Sequence, residues 1–194
     1  MKNHKRHYMR CLSVQDYTSM PWKNGGGVTR EVAKSSDSQG LIWRLSLADV
    51  TQEGTFSTFP KLSRILTITQ GAGMRLIDTD TNKVLLASLH TPTAFSGDQP
   101  ITSELIDGAI QDFNVIYDQT KTTADVRIID GPKHTYIKST EGQTRAIYSL
   151  FGTFKINQHT LIQDETAVFN STDRVQMTCE YGSKALLVTF TPRP

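Results

Sequence analysis

Apolar side chains recur at every second position through most of this chain, and this period constrains the fold more than any other feature of the sequence. In residues 41–50 (LIWRLSLADV), Trp43 and Leu45 share one face of an extended strand, while Arg44 and Ser46 share the other. No long stretch has the period of an amphipathic helix. Many short strands separated by Gly, Asn, Asp and Ser are typical of a sandwich or barrel, so the sequence predicts an all-β fold.

Turn-forming residues divide these strands into two sets. Residues 63–69 (SRILTIT) lead through the turn QGAG into MRLID, which is typical of a β-hairpin. Residues 118–126 (DQTKTTADV) are polar and are interpreted as a connection. We therefore expect an N-terminal half over residues 1–120 and a C-terminal half over residues 121–194.

Charge and composition exclude several classes of partner. The formal net charge is +2 and the basic residues form no stripe, so no nucleic-acid partner is expected. No apolar run is long enough to span a bilayer, and the N-terminal segment lacks the apolar centre of a signal peptide. Cys11 and Cys179 are far apart and form no CxxC pair. A disulfide between them stays open, but we expect two reduced thiols in a cytoplasmic protein.

The glycine-rich stretch at residues 21–31 (PWKNGGGVTRE) allows more than one interpretation. A phosphate-binding loop requires its Lys after the glycines, whereas Lys23 precedes them, and the spacing of a dinucleotide fingerprint is also missing. Three glycines can simply form a bend or bulge where the chain enters a strand. Our hypothesis is that they let the backbone approach a barrel mouth closely and so bring Lys23 and Asn24 over a pocket.

Several predicted strands carry polar side chains on one face and apolar side chains on the other. A polar face of this kind either meets water or lines a lumen, and the sequence does not separate these alternatives. If the faces line a concave sheet, they form a ligand site, because buried charges require partners. The residues that share these faces are Thr29 with Glu31, Arg44 with Ser46, and Asp112 with Asn114.

Five segments occur in the order that is typical of the HutD/Ves family, which this chain therefore resembles. They are PWKNGGGVTREV, WRLSLADV, GTFSTFPKLSRILTITQGAG, FSGD and DFNVIY, and together they extend over residues 21–117. The resemblance implies a bicupin, that is, two cupin-type β-barrels of the double-stranded β-helix kind. It also implies a link to bacterial histidine utilisation for HutD and to stress for Ves. One departure is Lys61, where the family often has glycine.

The usual metal chemistry of cupin enzymes is not expected here. Such enzymes hold a divalent metal with two histidines at HxH spacing, a carboxylate and a later histidine. This chain has five histidines and no HxH pair. We therefore expect neither a metal nor another cofactor.

The remaining polar residues predict a site for a small carboxylate. Cations outnumber carboxylates among them, and a guanidinium offers a planar fork that fits a carboxylate with two hydrogen bonds. Arg44 and Arg64 are the first candidates for recognising the charge. Arg30 lies on the opposite face from Thr29 and Glu31, so either a bulge after the glycines brings it into the lumen or it pairs with a carboxylate elsewhere. The predicted ligand-binding residues are Lys23, Asn24, Thr29, Glu31, Arg44, Ser46, Ser57, Arg64, Asp112 and Asn114.

Three functions fit these residues. The first is a metal-free binding protein for a small anionic metabolite, which the family context links to histidine catabolism and to formimino- or formylglutamate-like compounds. The second is a metal-independent hydrolase or isomerase in which Lys23 with Glu31 or Asp112 performs acid–base chemistry. The third is a structural or regulatory protein with a vestigial pocket. Because barrel halves also pair through sheet edges or faces, a homodimer is a further expectation.

Overall fold

The computed structural model describes residues 8–22, 25–170 and 174–194, and these form two compact units. One unit comprises Tyr17–Thr122 and is called the N-terminal barrel; the other comprises the described residues up to Asp16 together with Thr123–Pro194 and is called the C-terminal barrel. The segment before Tyr17 thus groups with the C-terminal barrel, because its strand pairs there.

The N-terminal barrel consists of two antiparallel sheets. Its strands are β2 (Thr18–Pro21), β3 (Gly27–Asp37), β4 (Gly40–Val50), β5 (Gly54–Thr55), β6 (Ser63–Gln70), β7 (Met74–Asp78), β8 (Val84–Ala87), β9 (Thr93–Ser96), β10 (Ile101–Leu105) and β11 (Ile110–Tyr117). The six-stranded sheet has the order β2-β3-β4-β11-β6-β9, and the four-stranded sheet has the order β5-β10-β7-β8. An apolar cluster that includes Leu66, Ile68 and Met74 fills part of this barrel.

The C-terminal barrel repeats this architecture with different strands. These are β1 (Met9–Leu12), β12 (Thr122–Asp130), β13 (Lys133–Ile137), β14 (Thr144–Phe151), β15 (Phe154–Ile156), β16 (His159–Leu161), β17 (Thr166–Phe169), β18 (Val175–Cys179) and β19 (Lys184–Pro192). Their sheet orders are β1-β17-β14-β19-β12 and β13-β18-β15-β16. The core contains Phe154, Phe169 and Met177, all almost completely buried, and also the free thiol of Cys179.

The all-β prediction is confirmed. Within the described ranges, the 3₁₀ turn Val14–Asp16 is the one helical element, and no helix there is long and apolar enough to cross a membrane. The period-two pattern is visible in the pairing of β4 with β11, where Phe113 lies opposite Leu47 and Asn114 lies opposite Ser46. This apolar pair and this polar pair therefore occupy opposite faces of one sheet.

Backbone hydrogen bonds join Trp22 to Gly25 and to Gly27 at the start of β3. The Trp22 N–H donates to the Gly27 carbonyl at 2.9 Å, and the Gly25 N–H donates to the Trp22 carbonyl at 3.1 Å. Gly25 has a φ of 73°, in the left-handed region that favours glycine. A Cβ at Gly27 would lie 2.3 Å from the Asp49 carbonyl oxygen and 3.1 Å from the Trp22 ring. Lys23 and Asn24 lie outside the described residues.

Gly27→Ala is expected to lower the free energy of unfolding by about 1–3 kcal/mol, because the added methyl group overlaps the backbone of β4. Urea denaturation measures this loss. Gly182→Ala is a comparison for a loss without steric overlap: the Cβ there meets no described atom within 4 Å, so its loss measures only the strain of a φ of 78°, which Gly27 does not have. A Gly27→Ala variant as stable as the native protein would show that β3 and β4 do not approach this closely.

Candidate ligand-binding site

A cavity of about 250 Å³ opens on the polar face of the six-stranded sheet. Its side chains come mainly from neighbouring strands and from the segment between β5 and β6, so residues far apart in sequence converge on one space. The lining residues are Met20, Pro21, Trp22, Thr29, Arg44, Ser46, Ala48, Thr55, Phe56, Ser57, Phe59, Arg64, Asp112, Asn114 and Ile116.

Strand register explains why the polar residues meet. Ile116 of β11 lies between Arg44 of β4 and Arg64 of β6, which brings both arginines into one row across the sheet. Two residues along β11, Asn114 lies opposite Ser46 in the next row. Because side chains two residues apart share a face, both rows point the same way.

Seven of the ten predicted residues line this cavity, and Glu31 does not. Lys23 and Asn24 lie outside the described residues, while the Glu31 carboxylate pairs with the Lys34 ammonium at 2.9 Å. Of the two alternatives for Arg30, the structure has the carboxylate pair, because its guanidinium binds the Asp49 carboxylate at 2.7 Å. The seven that line the cavity are Thr29, Arg44, Ser46, Ser57, Arg64, Asp112 and Asn114.

The guanidinium of Arg64 is hydrogen-bonded to other groups of the protein. Its side chain is 5% exposed, Nη2 donates to Asn114 Oδ1 at 2.7 Å, and Nη1 donates to the Ser57 carbonyl at 3.5 Å. Burial lowers the pKa of Arg64 to about 10, against the opposing effect of the Asp112 carboxylate. Arg64 is therefore a cation at neutral pH with a fixed orientation. Its guanidinium carbon lies over the rings of Phe56 at 5.2 Å, Phe59 at 5.3 Å and Phe95 at 4.9 Å.

Arg44 makes fewer contacts with other groups of the protein. Its guanidinium carbon lies 5.6 Å from the centre of the Phe59 ring, and its buried Nε has no hydrogen-bond partner among the described residues. Burial lowers the pKa of Arg44, while the Glu31 carboxylate acts in the opposite direction. Because its fork is not occupied by a described acceptor, Arg44 is the cation best placed to receive an anion.

Asp112 is completely buried and only half satisfied. Its Oδ1 accepts the Nδ2–H of Asn114, whereas its Oδ2 has no hydrogen-bond partner among the described residues. Burial raises the pKa of Asp112 to about 7, with Arg64 opposing this shift and Asp49 adding to it. Arg64, Asn114 and Asp112 thus form one hydrogen-bonded chain that ends in a carboxyl group poised between its two protonation states at neutral pH.

Aromatic residues of the cavity were missed by the sequence analysis. Phe56 and Phe59 flank the predicted Ser57, and Trp22 contributes to the wall with its Nε1–H donating to Thr29 Oγ1 at 2.8 Å. The signal was present in the segment FSTF, whose phenyl groups surround a polar residue. They were not recognised because aromatic side chains near a strand are more often part of the core.

The turn that follows Phe59 is strained. Lys61 has a φ of 66°, in the region where glycine is favoured, and its N–H donates to Asp98 Oδ1 at 2.9 Å. This hydrogen bond holds the turn in that conformation. Phe59 precedes this turn and lies under both arginines.

A recess of about 370 Å³ on the same barrel shares Arg64 with the cavity. Its acidic group is already satisfied, because the Asp98 carboxylate accepts from the Lys61 N–H at 2.9 Å and from the Ser96 hydroxyl at 3.3 Å. The smaller cavity is the better candidate site, since it contains polar atoms that lack partners.

The residues of the cavity do not suit a metal ion. Its one acidic group, Asp112, is accompanied by two guanidinium groups, which would repel a cation. In the described part of the chain, no three His, Cys, Asp or Glu side chains are close enough to hold a metal, and the described histidines do not line the cavity. The metal chemistry of other cupins therefore does not fit this site.

In the comparison with known proteins, the family model and the related sequences match most of the chain and point to the same family. The family model described as HutD matches residues 14–187. An uncharacterised 21.2 kDa protein in the hutC 3′ region of Pseudomonas putida is 43% identical over 131 residues, which are 66% of this chain and 68% of that protein. Protein Ves of Cronobacter sakazakii is 31% identical over 158 residues, covering 78% of this chain and 83% of Ves.

Solved structures agree with the sequence matches. HutD from Pseudomonas fluorescens SBW25 is 30% identical and superposes with a TM-score of 0.84, covering 96% of this chain and 100% of that chain. Quercetin 2,3-dioxygenase from Acinetobacter baumannii is 14% identical with a TM-score of 0.61, covering 94% of this chain and 78% of that chain. This second likeness shows the fold alone, and it confirms the expected cupin architecture.

Asp112→Asn is expected to change how stability depends on pH. Because the folded-state pKa of Asp112 is raised, the native protein loses free energy of unfolding as pH rises from about 4 to about 7, and the variant does not. Over this range, the free energy of unfolding of the variant should rise relative to that of the native protein by on the order of 2–4 kcal/mol. Urea denaturation at a series of pH values measures it.

Asp118→Asn is the matched control for this experiment. A side-chain hydrogen bond from Thr120 is the main cause that lowers the pKa of Asp118. The contribution of Asp118 to the stability of the folded protein is therefore lost only as pH falls below the ordinary titration range of aspartate. The difference in free energy of unfolding between the native protein and this control should stay constant from pH 5 to pH 8. A flat difference for Asp112→Asn as well would show that Asp112 titrates normally.

Proposed function

The chain belongs to the HutD/Ves family, and on that premise we propose that it binds a small carboxylate metabolite in the cavity of the N-terminal barrel, without a metal. The observation that carries this proposal is Arg44, a half-buried guanidinium in the cavity whose Nε has no described partner. A cation held in a partly dry site favours an anionic ligand, because attraction is stronger there than in water.

The charge of the cavity supports an anion rather than a cation. Arg44 and Arg64 contribute two positive charges, and Asp112 contributes less than one full negative charge near neutral pH because its pKa is about 7. The carboxylate of Glu31 is paired with Lys34 and does not line the cavity. An incoming carboxylate therefore neutralises an excess of positive charge.

The descriptions of two relatives guide which ligands are tested first. The Pseudomonas putida relative is described by its place in the hutC 3′ region, and the Pseudomonas fluorescens HutD structure is described for a formate condition. Formate is the smallest carboxylate. Acids of histidine catabolism, including formimino- and formylglutamate-like compounds, are accordingly the first ligands to test. The open volume of about 250 Å³ supports a binding role over a vestigial pocket.

A second function, hydrolysis of such a compound, is supported by Asp112. A carboxylate with a pKa of about 7 is suited to accept a proton at neutral pH. In such a reaction, Asp112 would take a proton from water as the water oxygen bonds to the formyl carbon, and the C–N bond would break with the proton passing to the leaving amine. Lys23 lies outside the described residues, and Glu31 is held by Lys34.

Thermal and calorimetric titration with formate, acetate and histidine-pathway acids tests the binding role. A ligand at a hundred times its Kd should stabilise the protein by about 2.7 kcal/mol. Arg44→Met should weaken binding by roughly tenfold or more, since a hydrogen-bonded charge pair is lost. Arg75→Met is the matched control, because this exposed arginine pairs with Glu104 and does not line the cavity. Equal affinity in all three proteins would contradict the assignment of Arg44.

Turnover distinguishes the two functions. Release of formate or ammonia from formyl- or formiminoglutamate, measured with native protein and with Asp112→Asn, should remain at background if the protein only binds. A rate that rises with pH through about 7 and disappears in Asp112→Asn would establish the hydrolase instead.

A further inference from the structure

We propose that the ligand of this cavity carries a hydrogen-bond donor, an N–H or O–H group, in addition to its carboxylate, and that Asp112 Oδ2 accepts this hydrogen bond. The inference deepens the proposed function and rests on it. It assigns Arg44 to the charge of the ligand and Asp112 to its donor. The ligand class is therefore an amide, imine or hydroxy acid rather than a simple fatty acid.

The first argument is the orphaned oxygen of Asp112. Buried carboxyl oxygens are normally hydrogen-bonded, and leaving one unsatisfied is costly. The Asn114 amide N–H already donates a hydrogen bond to Oδ1, and no described group donates to Oδ2. Asp112 lines the cavity and, at 0% exposure, it is the most deeply buried polar residue of that lining.

The second argument is that Asn114 and the two terminal nitrogens of Arg64 already donate to other groups, whereas Arg64 Nε has no described partner and makes no hydrogen bond to Oδ2. The Arg64 fork donates to Asn114 and to the Ser57 carbonyl. Asn114 uses its amide N–H toward Asp112 and its amide oxygen toward Arg64, so it is oriented by both. The protein thus holds Asp112 from one side and leaves its other oxygen without a donor, which is the arrangement expected when a ligand supplies one.

The third argument is the spacing of the two recognition points. Asp112 lies opposite Ala48 on β4, four residues along the strand from Arg44. At about 3.3 Å per residue, the backbone positions are roughly 13 Å apart along the strand, and the long arginine side chain covers part of that gap. A ligand that touches both groups must therefore separate its carboxylate from its donor by several bonds.

The protonation of Asp112 should respond in opposite ways to ligands with and without a donor. The charged groups that act on Asp112 are Arg64 of β6, which favours the carboxylate, and Asp49 of β4, which disfavours it and is itself bound to Arg30. A donor from the ligand stabilises the carboxylate, so affinity should increase as pH rises. An anion without a donor meets more repulsion from the carboxylate, so its affinity should decrease as pH rises.

Matched ligand pairs test the proposal directly. One member of each pair is an acetamido acid with two, three or four methylene groups before the nitrogen, and the other has a methylene group in place of the N–H, as in 4-acetamidobutanoate and 6-oxoheptanoate. Calorimetry from pH 5.5 to pH 8.5 measures the affinities. At the best chain length, the amide acid should bind about tenfold or more tightly than the ketone acid. Its affinity should increase with pH while that of the ketone acid decreases.

Asp112→Asn and carbon NMR provide independent readouts. In Asp112→Asn, the preference for the amide acid should shrink and its pH dependence should vanish, while formate binding confirms an intact cavity. The ¹³C carboxyl resonance of Asp112 should titrate at lower pH in the amide complex than in the free protein. Equal affinities and parallel pH slopes within each pair would overturn the proposal while formate binding through Arg44 still upholds the proposed function. No binding by any carboxylate would overturn both.

Discussion

The hydrogen-bonded chain from Arg64 through Asn114 to Asp112 determines the character of the N-terminal barrel. It places a cation and a carboxyl group on a buried sheet face, where each is costly unless the other is near. Burial shifts both pKa values toward the neutral form, and their mutual attraction opposes these shifts. The fixed arginine, the poised carboxyl group and the second arginine beside them all depend on this one arrangement.

The two barrels use the same architecture for different interiors. The main core cluster of the C-terminal barrel is built from apolar side chains and one thiol, which suits a structural role. In the N-terminal barrel, apolar and polar residues lie side by side on one face of the sheet, since Asn114 lies opposite Leu66 and Asp112 lies opposite Ile68. The apolar cluster therefore forms one boundary of the polar site, and it keeps the charged groups away from bulk water.

The aromatic residues give this site its rigidity. Three phenyl rings surround the Arg64 guanidinium, and one of them, Phe59, also lies under Arg44. A guanidinium stacked in this way loses little entropy when its hydrogen bonds form, because its orientation is already set. Phe59 is followed by a turn in which Lys61 adopts a left-handed conformation, held by Asp98. The position of both arginines is therefore coupled to a surface turn.

The sequence by itself determined the all-β class, the alternation of faces, the polar residues on them and the separation of Arg30 from its neighbours, because a period of two is a local property of the extended chain. Only the tertiary structure decided that the polar faces line a cavity, that Glu31 pairs with Lys34, and that phenyl rings enclose Arg64. Register between distant strands sets these contacts, and it depends on packing across the whole barrel. The shifted pKa of Asp112 also belongs to the fold, since it follows from burial.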